Sequence, residues 1–245
     1  MKKLYTFVMA AVASMMMCAN VMAQETKYVK VKEAPADWSG VYLIVYEDDD
    51  NNQALILNGA LEKIDAVNNF ITAPNDYQKI NGEDVRVVDP SDAVDAAVFT
   101  ISKAEEEGIY YIVSTSGCGI GYNKFDVDEN GNPIEEANMS CKQGKTYDNT
   151  IKMQEGKTNV IITSKVGYEL RYNADEGKTR FRYYESGKKK AIKLYRKETV
   201  ENGTITSIRN IEAAKASAAY NLAGQKVDNN YRGIVIKNGV KVIRK

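Results

Sequence analysis

Histidine is absent from all 245 residues, tryptophan occurs once, as Trp38, and proline only four times. Without an imidazole there is no Ser-His-Asp or Cys-His nucleophile, no histidine general base, and little prospect of a catalytic zinc site. Hydrolytic chemistry would fall to carboxylates, lysine or tyrosine alone. An excess of one charge is also missing: 33 Lys and Arg stand against 33 Asp and Glu, so no overall field draws the chain to nucleic acid or to an anionic membrane. Beyond Gln24 no apolar run approaches the roughly 20 residues that a membrane-spanning helix needs. Cysteine is scarce, with three in the chain.

The first residues, MKKLYTFVMAAVASMMMCANVMAQ, hold two lysines, an apolar run from Leu4 to about Cys18, and small residues around Ala23. This is the layout of a secretory leader over residues 1–23, with cleavage expected after Ala23 and export as the destination. An uncleaved anchor helix over the same run is the alternative. Cleavage would remove Cys18 and leave Cys118 and Cys141, which an oxidising compartment allows to pair. The midpoint between them falls inside the turn-rich DENGNP, so a symmetric hairpin would set the two sulfurs opposite each other. Two buried thiols are the other reading.

What the chain has in abundance is period-two alternation. KYVKVK, GVYLIVYE, QALILNG, AAVFTISK, GIYYIVSTS, NTIKMQ, NVIITS, YELRYN, RFRYY and AIKLYRK are rich in Val, Ile, Tyr and Phe and bounded by turn compositions such as EDDDNN and ADEGK. The expected fold class is all-β. Three stretches share one layout of strand, turn, strand and Asn, beginning at Tyr42, Tyr110 and Asn159, and a matching later strand follows each at Phe99, Ile151 and Ile192. Those anchors recur every forty to fifty residues or so, a spacing typical of internal repeats. We therefore expect residues 24–198 to form a β-trefoil-like barrel of three degenerate units, with Leu43, Val45, Phe99, Ile101, Ile112, Ile161, Leu170 and Leu194 inside and KYVKVK paired with the last strand. A β-sandwich of the same strands is the alternative. Residues 199–217 are polar and read as a linker with room for one short helix at IEAAKASAA.

The last segment, residues 218–245, places Asn238-Gly239 between two Val/Ile runs, the strongest short hairpin signal, in a piece too small to be stable alone. Its pattern falls on Tyr220, Asn221, Gly224, Val227, Gly233, Ile234, Ile236, Lys241 and Lys245. On these residues the tail resembles the C-terminal sorting domain of the type IX (Por) secretion system. The resemblance implies passage across the outer membrane, with export machinery as the partner of the tail. DWSGVYLIVYE and LRYNADEGKTRFRYYESGKKKAIKLYRK also resemble an uncharacterised all-β accessory segment of secreted bacterial proteins, which implies a module and names no chemistry.

Three constellations remain. Asp126, Asp128 and Asn130 alternate ahead of Gly131 like the first half of a calcium loop, but Ala137 stands where a bidentate Glu belongs and Pro133 where an EF-hand needs an apolar residue. The EF-hand is excluded; calcium in another geometry competes with an ordinary hairpin tip. Arg171, Tyr172, Arg180, Arg182 and Tyr184 interleave guanidinium groups with aromatic rings, a pattern that suits stacking of sugar rings or bases. The competing reading is arginine stems covering a solvated outer face. Trp38 is a further platform candidate or a core plug. ESGKKK is locally basic, either a phosphate or sulfated-glycan contact or a solvated loop. Together these point to a secreted or outer-membrane-surface binding module without catalytic residues or cofactor, for glycan or a surface protein. A structural or protein-interaction component, or a carboxylate-dependent glycosidase or nuclease, are the alternatives.

Overall fold

The computed structural model describes residues 24–122, 130 and 139–206, with residues 140–142 described through their backbone, and the backbone of four short strands beyond residue 218. The chain is all-β. Strands β1 (Glu25–Lys30), β2 (Gly40–Asp48), β3 (Gln53–Leu57), β4 (Phe70–Pro74), β5 (Asp76–Ile80) and β6 (Glu83–Val88) precede the short helix α1 (Asp92–Ala96). After it come β7 (Phe99–Lys103), β8 (Ile109–Ser114), β9 (Cys118–Gly121), β10 (Ser140–Gln143), β11 (Asn149–Met153), β12 (Val160–Ser164), β13 (Glu169–Asn173), β14 (Arg180–Tyr184), β15 (Lys193–Glu201) and β16 (Thr204–Ile205). All sixteen join one antiparallel sheet, ordered β14-β13-β12-β11-β8-β7-β2-β15-β1-β6-β5, with β3–β4, β9–β10 and β16 branching from it.

The three repeated stretches become three equivalent successions. β2, β8 and β12 each lead into a hairpin (β3–β4, β9–β10, β13–β14), and β7, β11 and β15 follow. The expected pairing of the first strand with the last is present, with Tyr28 opposite Lys197 and Lys30 opposite Tyr195. Full closure into a barrel is not: the ladders form an open path ending at β14 and β5. The far parts meet through single bridges, Val160 to Ile192 and Tyr172 to Lys190, with Val160 N–H donating to Ile192 O at 2.9 Å. The polar, turn-rich segment ESGKKK that precedes Ile192 offers too short an extended run for a ladder. An open sheet with both faces of β2 buried also suits the sandwich alternative.

The main core draws on all three units: Ile44, Phe99, Ile112, Ile151, Ile162, Leu194, Leu170, Phe181 and Tyr183 all belong to it. Of the expected core residues Ile161 is out of phase, since Val160 and Ile162 point inward and Ile161 is half-buried. Leu43 and Val45 are fully buried but in a second cluster, against Tyr28, Val88, Val94 and Tyr195. β2 thus buries both faces, which is why its VYLIVY run shows no alternation.

That second cluster takes Val88 from β6 and Val94 from α1, elements absent from the expected strands, while Ile80 of β5 packs in a third cluster with Val29, Val85, Val87 and Val200. The β5–β6 hairpin has an Asn-Gly signal: Ile80 pairs with Glu83, and Asn81 (φ 53°) and Gly82 (φ 83°) form a two-residue turn with both φ positive. The helix is started by Ser91, whose hydroxyl accepts from Val94 N–H at 3.3 Å. β15 and β16 continue to Ile205, into the stretch read as linker, and Asn81 N–H donates to Gly203 O at 2.6 Å. The suggested helix at IEAAKASAA lies outside the described residues.

Beyond residue 218, strands β17 (Ala219–Asn221), β18 (Lys226–Val227), β19 (Gly233–Lys237) and β20 (Val240–Arg244) form a separate sheet ordered β18-β17-β19-β20. Among the described residues no ladder joins it to the larger sheet.

Candidate functional site

β13 and β14 pair in strict antiparallel register: Glu169 with Tyr184, Leu170 with Tyr183, Arg171 with Arg182, Tyr172 with Phe181 and Asn173 with Arg180. Because side chains alternate, Leu170, Tyr172, Phe181 and Tyr183 enter the core, while Glu169, Arg171, Asn173, Arg180, Arg182 and Tyr184 share the outer face. The shared face expected for Arg180, Arg182 and Tyr184, and for Arg171 with Asn173, is found. Tyr172 is corrected out of the set. It is 4% exposed and stacks on Tyr46 at 4.5 Å between ring centroids, with Phe70 and Phe181 edge-on or tilted beside it. Trp38 is likewise a core residue at 4% exposure, not a platform.

Most of the outer face is internally paired. Arg171 donates through Nε (2.8 Å) and Nη2 to Glu169 Oε2, and Ser186 Oγ donates to Glu169 Oε1 at 2.7 Å. Burial pushes the Glu169 carboxyl up, but Ser186 and Arg171 hold it below its ordinary value. Arg182 grips Asp65 through Nε and Nη2, each at 2.6 Å. Burial outweighs that guanidinium and leaves the Asp65 carboxyl raised. Lys189 Nζ reaches Asp175 Oδ2 at 2.5 Å and lies 5.9 Å from the centre of the half-buried Tyr184 ring. Arg180 differs: its Nη1 donates to the Asp65 carbonyl at 3.3 Å, and its Nε is buried without a partner.

Asp65 lies 117 residues from Arg182, and nothing in the sequence connects them. Its loop is held by Asn69, whose amide donates to Ile64 O (2.5 Å) and Phe181 O (2.8 Å) and accepts from Phe181 N–H (2.8 Å). Asn69 thereby covers the free edge of β14. Glu169 was legible in principle, two residues before Arg171 on the same face.

A cleft of about 370 Å³ opens between β1, the 31–35 segment, β6 and β15. Tyr42, Val29 and Val85 line it, with Arg196 Nε 3.9 Å from the buried Glu198 carboxylate. The Arg196 Nη2 group is committed to Ser39 O at 2.9 Å.

The remaining candidates are placed as follows. Asp126 and Asp128 lie outside the described residues, and Asn130 is an exposed turn residue. Cys118 is buried on β9 opposite Gln143, while Cys141 on β10 stands opposite Ile120. The two cysteines are therefore diagonal neighbours on one face, which corrects the expected direct opposition by two residues of register. β9 runs so close to the 145–147 segment that a Cβ on Gly119 would lie 1.9 Å from Lys145 O. In the tail, Tyr220 pairs with Ile236 and with Lys226, Ile236 with Lys241, and Asn221, Val227, Gly233 and Ile234 occupy strands. Gly224 and Lys245 lie outside the described residues. No protein-family model matches the chain, and no curated protein matches it.

Proposed function

We propose that the protein is an exported, non-enzymatic binding module that contacts carbohydrate through the outer face of β13–β14. The observation that carries the reading is a rigid guanidinium row, with Arg171 directly opposite Arg182 and each held by a carboxylate, beside the half-buried Tyr184 ring and the incompletely bonded Arg180. Side chains locked in this way lose little entropy when a ligand is added. Burial of Trp38 and Tyr172 argues against a broad aromatic platform and toward polar recognition. Polysaccharide-array binding by the whole protein, at least severalfold weaker in Tyr184→Ala with unchanged thermal midpoint, is the expected result. An array without hits would remove the carbohydrate reading.

A protein-interaction role is the second reading, favoured by β5. Among the described residues its one ladder is with β6, and Tyr77 on it is 62% exposed with the Arg86 guanidinium 4.6 Å from its ring centre. Capture of a protein partner that is lost on inserting proline into β5 would decide for it.

Export through a leader and a sorting-type tail is supported by the leader layout and by the tail strands pairing, among the described residues, in a small sheet of their own. A Cys118–Cys141 disulfide is supported by their diagonal placement and by the bonded state of the Cys118 sulfur. Mass spectrometry of material outside the cell is expected to find Gln24 as the first residue and, under non-reducing digestion, one peptide pair joined through these cysteines. An intact leader or two alkylatable thiols would contradict this.

A further inference from the structure

Among the described residues Tyr77 is the most exposed large hydrophobic side chain, at 62%. Its ring rests on Arg86, directly opposite on β6, with the guanidinium 4.6 Å from the ring centre. That guanidinium is held from three sides: Nη1 donates to Asn52 Oδ1 and to Asn75 O, and Nη2 to Asp49 Oδ1, each at 2.7 Å. A fixed cation thus backs the ring, and most of the ring stays open to solvent. Beside it lies a shallow hollow of about 330 Å³ lined by Asn51, Asn52, Gln53, Thr72, Ala73 and Pro74. Asn52 joins the two: its Oδ1 takes the Arg86 hydrogen bond and its Nδ2 donates to Asp76 Oδ1 at 2.7 Å, so a single guanidinium separates ring from hollow. On the β3–β4 ladder Gln53 stands opposite Pro74 and Thr72 opposite Leu55, which puts an amide and a hydroxyl on one face. Both are exposed.

We infer that Tyr77 is a stacking platform for a ring of a neutral polysaccharide, whose neighbouring hydroxyls turn into the hollow toward Gln53 and Thr72. An aromatic face takes the apolar C–H face of a sugar, and side chains that both donate and accept match hydroxyls, which do the same. Charge decides between ligands. No residue lining the hollow is a cation, and the Arg86 donors are directed inward. Asp48, Asp49 and Asp76 each bond to a residue of the hollow or to Arg86. Such a field repels uronate, sulfate and phosphate, which disfavours acidic polysaccharide and nucleic acid here. A cationic ligand is disfavoured in turn, because the ring already faces a guanidinium. The contact goes beyond the β13–β14 face and stands without it.

The test measures binding of the full chain to the neutral polymers dextran, mannan and laminarin, and to polygalacturonate, at two salt concentrations. At least one neutral polymer is expected to bind about tenfold or more tighter than polygalacturonate, with an affinity that salt leaves unchanged. Tyr77→Ala should weaken that binding about tenfold, while Tyr77→Phe, which keeps the ring, should stay within about twofold of wild type. Gln53→Ala should weaken it severalfold. Thermal midpoints should remain near the wild-type value, because Arg86 keeps Asn52, Asn75 and Asp49 in every variant. Equal affinity of Tyr77→Ala and wild type, or a preference for polygalacturonate, would overturn the inference. A loss in Tyr77→Phe as large as in Tyr77→Ala would also refute it, assigning the effect to the hydroxyl. Loss in Tyr184→Ala alone would refute it and leave the β13–β14 reading standing; loss in Tyr77→Ala alone would do the reverse. Absence of binding to every neutral polymer would refute it, and a protein partner lost in Tyr77→Ala would then assign the ring to the protein-interaction reading.

Discussion

Replacing Glu47 by alanine is expected to lower the free energy of unfolding by about 3–5 kcal/mol, read from urea denaturation at neutral pH. The Glu47 side chain, 8% exposed, lies 2.8 Å from Lys30 Nζ and 4.0 Å from Lys193 Nζ, both themselves largely buried. It also accepts from the Tyr195 hydroxyl at 2.5 Å. Removing the carboxylate leaves two ammonium groups and a buried hydroxyl facing one another, and the loss reflects those uncompensated charges more than the pair's own worth. The same group sets an acid limit. Burial pushes its carboxyl up, but hydrogen bonds from Lys30 and Tyr195 and the charges of Lys30 and Lys193 bring it below the ordinary 4.5. A native value below the unfolded one contributes stability above about pH 4.5, and that contribution is lost as pH falls through the native value. Glu169 acts in the same direction. Asp65, raised in the native state, works the other way: its stabilising contribution is present at low pH and is lost as pH rises through the native value. Glu47→Gln should therefore flatten the acid-side fall of stability; an unchanged pH profile would remove Glu47 from this role.

Asn69→Ala should cost about 3 kcal/mol or more, because it strips hydrogen bonds from three backbone groups, each worth about 1–3 kcal/mol when buried and unsatisfied. These are Ile64 O, Phe181 O and Phe181 N–H. The consequence reaches the outer face. Without Asn69 the 58–69 loop is held to this edge by the Asn68 contacts to Thr179 and the arginine contacts to Asp65, so Asp65 is less firmly positioned beside Arg182. Hydrogen exchange at Phe181 N–H should accelerate by orders of magnitude in the variant. Retention of wild-type protection there would show that the strand edge is covered by something other than this amide.

These two cases mark how far the sequence could be read. Within β13 and β14 the alternation was enough to place Arg180, Arg182 and Tyr184 on one face, because period-two geometry is local. Tyr172 is close in sequence to the outer-face residues but not on their surface, since the same alternation sends it inward. In β2 the reverse holds: an unbroken apolar run carries no phase, and Leu43 and Val45 join a separate cluster because β6 and α1 bring Val88 and Val94 against them. The Asn81-Gly82 turn carries a local hairpin signal of the same kind. For Cys118 and Cys141 the strand pairing is as expected and the register differs by two residues, since turn composition locates a loop without fixing the ladder beside it.

By itself the amino-acid order determined an all-β chain, three successive hairpin units, a first strand that pairs with the last long one, and a reactive inventory without imidazole. Each follows from alternation, turn residues or composition, which act over a few neighbours. Tertiary structure alone decided that the ladders stay open, that Asp65 and Asn69 come to the edge of β14, and that Arg182 takes the Asp65 carboxylate through both oxygens while Arg180 reaches the Asp65 carbonyl. Those outcomes depend on contacts between groups more than a hundred residues apart, as for Asn69 with Phe181 and Asp65 with Arg182, and no local pattern of residues encodes which loop will fill a given strand edge.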